Sequence, residues 1–94
     1  MGEAIEIIDE RIRFSDGSFI ELSVFALPKP VAGSTHNYKY RLAYVVSDEC
    51  VMRYDNEARK GDHKHIGRKQ FPYHFVDIDT LLYDFYTEVG RMRT

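Results

Sequence analysis

The hydrophobic spacing of this chain changes once, near residue 77, and that change limits the folds open to it. Upstream, apolar residues alternate with polar ones. In residues 19–27 (FIELSVFAL), Ile20, Leu22, Val24 and Ala26 share a face. In residues 36–47, Tyr38, Tyr40, Leu42, Tyr44 and Val46 face one way, while Asn37, Lys39 and Arg41 face the other. A period of two is that of a strand with one buried face. Downstream, Ile78, Leu81, Leu82, Phe85, Val89 and Met92 recur at i, i+3, i+4, i+7, i+11 and i+14, the stripe of an amphipathic helix. Asp77 or Asp79 can cap its start.

Two more strands complete the expected sheet. Residues 4–14 alternate with a slip of phase between Ile7 and Ile8, which predicts a bulge. Ser15-Asp16-Gly17-Ser18 then predicts a hairpin turn into the second strand. Pro28 and Pro30 end that strand. After the third strand, Asp48-Glu49 turns the chain into a fourth, residues 50–56. The expected fold class is α+β: a four-stranded antiparallel meander with a C-terminal helix packed on one face, in a single domain over residues 1–94. Residues 57–76 are then a long connection whose chemistry suggests function.

Composition narrows the class. Hydrophobic residues make 44% of the chain, so disorder is not the default. One cysteine, Cys50, excludes an internal disulfide framework and fits a reducing cytoplasm. No signal-like N-terminal stretch and no apolar run of membrane-spanning length is present. Net charge is −2, against a general nucleic-acid binder, but its distribution is uneven. Residues 53–69 hold Arg53, Arg59, Lys60, Lys64, Arg68 and Lys69 against Asp55, Glu57 and Asp62, a local balance of +3. The rest of the chain carries −5. A cationic segment on an acidic body can draw an anionic ligand despite the overall sign.

The same segment carries the reactive side chains. Arg53-Tyr54-Asp55-Asn56 ends the fourth strand, and Asp62-His63-Lys64-His65 follows. At strand spacing the two imidazoles point to one side, their Cβ atoms roughly 6–7 Å apart. These motifs, with Tyr38-Lys39-Tyr40-Arg41 before them and Ile66-Gly67 after, resemble the TumE family of toxins from toxin–antitoxin pairs. The resemblance covers residues 36–76. It has a Y-R-Y-type strand, an F-R-Y-D-N strand and an H-H-K-H-[VI]-G segment. Met52 stands for the family's Phe, Lys39 for its Arg, and Asp62 for a further His. The resemblance implies a small sheet-and-helix cytoplasmic toxin, encoded beside a helix-turn-helix antitoxin that binds and silences it. Most small toxins of this sort act on RNA, which makes RNA the expected target.

Metal-independent RNA cleavage needs a base for the 2′-hydroxyl and an acid for the leaving 5′-oxygen, and two imidazoles can supply both. The expected catalytic set is therefore His63 and His65, with Arg53 and Lys64 stabilising phosphoryl charge and Asp55 orienting a ring. Lys39, Arg41, Tyr54, Asn56, Arg59, Lys60, Arg68 and Lys69 are the expected RNA contacts. No cofactor is needed. A metal held by Asp62, His63, His65 and Asp55 is the competing chemistry, weakened by the adjacent Lys64. The competing function is a non-catalytic module that binds a partner protein or nucleic acid through the same basic loop.

Overall fold

The computed structural model describes residues 2–94. Six antiparallel strands form one sheet in simple sequence order: β1 (Ile5–Arg13), β2 (Phe19–Ala26), β3 (Tyr38–Val46), β4 (Glu49–Glu57), β5 (Gly61–Ile66) and β6 (Lys69–Pro72). A single helix, α1 (Ile78–Met92), follows. The meander and the C-terminal helix agree with the alternation and the helical stripe. The strand number does not. The segment expected to be a long connection folds as two further strands, because Gly61 and Gly67 take positive φ where the chain reverses. Gly61-Asp62-His63-Lys64-His65-Ile66 was too polar to read as a half-buried strand, yet all six residues are partly buried.

The bulge in β1 lies where the phase slips, between Glu6 and Ile8. The β3–β4 reversal lies one residue earlier than expected and centres on Ser47 and Asp48, both at positive φ. That is the two-residue geometry matching strand twist. The β2–β3 loop, residues 27–37, instead folds back over the β4–β5 turn. There Gly33 approaches the Arg59 backbone so closely that a Cβ would lie 3.0 Å from it, and the Arg59 N–H donates to the Ala32 carbonyl.

Register assigns every side chain to a face. Ile20, Leu22, Val24, Tyr40, Leu42, Tyr44, Met52 and Tyr54 lie on the face that α1 covers, and Leu81, Phe85 and Val89 of the helix complete that core. Burying a large apolar side chain is worth about 1.5–3 kcal/mol, so this one layer carries most of the fold's driving force. The Asp77 carboxylate caps α1 by accepting the Thr80 N–H at 2.7 Å. At the other end, Arg93 bonds Asp16, Ser18 and Tyr44 and stacks on Phe14, tying the helix terminus to the β1–β2 hairpin. The opposite face of the sheet has no helix over it.

Candidate functional site

Strand parity divides the expected site residues between the two faces. In β4, Arg53 and Asp55 alternate with Met52, Tyr54 and Asn56. In β5, His63 and His65 alternate with Asp62, Lys64 and Ile66. Arg53 pairs with His65 and Asp55 with His63, so these four side chains meet on the helix-free face. Tyr54 pairs with Lys64 and Asn56 with Asp62, and these four lie on the covered face.

On the helix-free face, Asp55 is the hub. One carboxylate oxygen takes the Arg53 Nε–H at 2.8 Å, and the other lies 3.4 Å from His65 Nε2. The His63 and His65 ring centres are 6.4 Å apart. His63 Nδ1 lies 3.2 Å from the Gly61 carbonyl, a contact in which Nδ1 donates and Nε2 is left without a partner among the described residues. Lys39 and Arg41 share this face on β3, and Arg41 stands directly opposite Asp55. Lys39 Nζ reaches the Asn56 carbonyl oxygen.

Three expectations fail on the covered face. Lys64 is not beside the histidines. It points toward α1, pairs with Glu88 at 3.2 Å and lies over the Tyr54 and Phe71 rings, lining a recess of about 300 Å³ beneath the helix. Tyr54 is a core residue packed edge-on against Tyr73 and Phe85. Burial, with Glu88 and Asp84 nearby, pushes its phenol up to about 12. Asn56 is fully buried and works as a clamp, accepting the Tyr40 N–H and donating to the Tyr38 carbonyl and the Ser34 hydroxyl. Tyr54 and Asn56 are thus buried, and Lys64 is turned away from the histidines.

The basic segment also separates. Arg59 and Lys60 occupy the β4–β5 turn, whereas Arg68 lies in the turn at the other end of β5 and Lys69 begins β6. A strand of six residues puts roughly 20 Å between those ends. The +3 balance is therefore not one patch. In addition, Lys60 pairs with Glu57 at 3.4 Å, which holds the Glu57 carboxyl below its ordinary value.

A second polar cluster escaped the sequence reading. Asp62 accepts the Tyr40 hydroxyl at 2.7 Å and the Ser34 hydroxyl at 3.3 Å, and it lies 2.7 Å from His36 Nε2. The Tyr38 N–H donates to His36 Nδ1 at 3.2 Å, so the ring proton sits on Nε2 and goes to Asp62. Phe75 stacks on His36 with ring centres 3.8 Å apart and closes the cluster from outside. Burial first, and the Asp62 bond second, push the Tyr40 phenol far above its ordinary range. The available signal was phase: His36 lies two residues before Tyr38 and four before Tyr40, on the core face. Engaged here, Asp62 faces away from His63 and His65. The alternative metal set is not assembled, and among the described residues no group of three such side chains is arranged to hold an ion.

A model of the family described as Toxin TumE matches residues 2–93, nearly the whole chain. No curated protein and no solved structure matches it.

Proposed function

The chain belongs to the TumE toxin family, hence to a toxin with a cognate antitoxin, and we propose that it cleaves RNA through the His63–His65 pair without metal. The observation carrying this reading is the placement of two imidazoles and an Arg53–Asp55 pair together on the helix-free face. Their ring separation of 6.4 Å leaves room for one phosphate, with each nitrogen about 3 Å from the oxygen it serves.

The contacts of each ring support a division of roles. His63, with Nδ1 turned to the Gly61 carbonyl, presents Nε2 as the base that takes the 2′-hydroxyl proton. His65, with the Asp55 carboxylate 3.4 Å from Nε2, presents Nδ1 as the acid. The 2′-oxygen forms a bond to phosphorus, the P–O5′ bond breaks, and the leaving 5′-oxygen takes the proton from His65. The products are a 2′,3′-cyclic phosphate and a 5′-hydroxyl. Arg53 lies where charge grows on the non-bridging oxygens, and Asp55 holds both Arg53 and His65 in place. Arg41 is the adjoining phosphate contact.

The antitoxin is proposed to be of helix-turn-helix type and to act in the cytoplasm with the toxin. No helix of the described residues is long and apolar enough to cross a membrane. Either His63→Ala or His65→Ala is expected to lower RNA turnover ~10²–10⁴-fold, and wild-type activity should follow a bell-shaped pH profile. Turnover in the double variant equal to wild type ends the catalytic reading. Retained toxicity without RNA cleavage favours the non-catalytic module.

A further inference from the structure

The helix-free face continues beyond the histidines, across β3 to β2. Ser23, Arg41, Asp55 and His63 lie in one lateral row, each on a neighbouring strand. One step along the strands, Phe25 pairs directly with Lys39. At about 4.8 Å per strand, Arg41 lies about 10 Å from His63 and Phe25 about 14 Å sideways from it. An aromatic ring, two cations and the histidine pair thus follow one another over a short stretch of open sheet.

Their states differ from those of their neighbours. Arg41 is exposed and makes no ion pair among the described residues, whereas Arg53 is tied to Asp55 and Arg11 to Glu21. Phe25 is half-buried with no ring or cation stacked on it among the described residues. Phe19, the other aromatic on this face of β2, already carries Arg11 at 4.5 Å. Between them Ser23 and Ala43 supply small side chains, and Ala43 is fully buried beneath its longer neighbours. An unpaired guanidinium suits a phosphate, and an uncovered ring suits the face of an unpaired base.

We infer that the helix-free face is a track for single-stranded RNA, in which Arg41 and Lys39 hold phosphates and Phe25 stacks a base upstream or downstream of the bond placed at His63 and His65. This rests on the reading of the chain as acting on RNA. It adds that the substrate is unpaired. A duplex keeps its bases stacked on one another and offers Phe25 no base face, so single strands are preferred on stacking grounds. It also names residues that bind without reacting.

The test measures binding apart from cleavage. Protein carrying His63→Ala and His65→Ala is titrated onto a fluorescent oligouridine, and anisotropy is followed at several salt concentrations. Adding Phe25→Ala is expected to weaken binding about 5- to 150-fold, the equivalent of the ~1–3 kcal/mol that one stacked base contributes. Phe25→Leu, which keeps apolar bulk at the position, should show most of the same loss. Arg41→Ala should lower the slope of log affinity against log salt by about one. Arg91→Ala, on the helix, should change neither, and duplex RNA should compete poorly. Equal affinity in the Phe25→Leu and Arg41→Ala proteins overturns the track, as does equal competition by duplex. Binding that depends on Phe25 and Arg41 in a protein that never cleaves RNA keeps the track and removes the nuclease reading. Cleavage with unchanged KM when Phe25→Leu or Arg41→Ala is made alone, with both histidines present, does the reverse. A face that captures the antitoxin but no oligonucleotide overturns the track.

Discussion

Asp55 and Asp62 lie on neighbouring strands, each within reach of a histidine, and the two pairs have opposite fates. Asp62 stands on the covered face with Tyr40, Ser34 and His36 around it and Phe75 stacked over the ring. Both nitrogens of His36 are engaged, one with Asp62 and one with the Tyr38 backbone. Asp55 stands on the open face, where His65 keeps its second nitrogen out of any hydrogen bond among the described residues. Residue type is the same in both places. A saturated pair sealed by aromatics can only hold the fold, whereas a pair with a nitrogen left over can exchange a proton with something outside.

The sharpest way to break this contrast is to remove each carboxylate in turn. Asp62→Ala strands the Tyr40 hydroxyl, the His36 N–H and the Ser34 hydroxyl, and each buried orphan costs about 1–3 kcal/mol, so a loss of at least about 2–4 kcal/mol is expected in urea unfolding. A midpoint equal to wild type would show that this cluster is not structural. Asp55→Asn should act on the other quantity. Turnover is expected to fall roughly 10–100-fold, the scale on which partners that orient an imidazole act, with little change in unfolding midpoint. A loss of stability as large as that of Asp62→Ala would merge the two clusters into one structural network.

A smaller effect comes from the covered face as a whole. Tyr40, Tyr54 and Tyr73 all have phenols raised above the ordinary value of 10.0, in each case with burial as the leading cause. A raised folded-state value means that the folded chain keeps its protons while the unfolded chain loses them. The contribution is full below pH 10 and is lost as pH rises toward 12, where Tyr54 titrates. Stability measured by denaturant should therefore decline above pH 10, together with the appearance of tyrosinate absorbance. Tyr40→Phe, which keeps the ring and drops the titrating hydroxyl, should flatten part of that decline. An unchanged decline above pH 10 in the Tyr40→Phe protein would show that this phenol does not contribute to it.

Much of the architecture was legible because the hydrophobic pattern is regular where burial is one-sided. The bulge near Ile7, the Asp16-Gly17 hairpin, the core phase of Tyr40 and Tyr44, and the span and cap of α1 all follow from period and turn chemistry. Strands β5 and β6 were not legible. Their residues are half-buried or exposed at the end of the sheet, and polar side chains at such an edge leave no alternation to read. The candidate site was half legible. A spacing of two correctly put His63 and His65 together, and Asp55 with them across the strand pair. Placing Lys64 with them failed for the same reason that the histidines succeeded, since one residue of shift reverses the face.

The sequence alone determined which residues can share a face, because a strand's period is a local property of its backbone. It also determined where the helix starts and which of its residues are apolar. Only the tertiary structure decided which face is sealed and which is open. That choice depends on where α1 lies, and α1 lies over the face where Leu81, Phe85 and Val89 can bury against Tyr40, Leu42 and Tyr54. On that same face Phe75 stacks over His36, leaving its side chain 11% exposed, while His65 on the open face keeps 25%. The difference between a structural histidine and a chemically available one was decided by residues more than ten positions away in the chain.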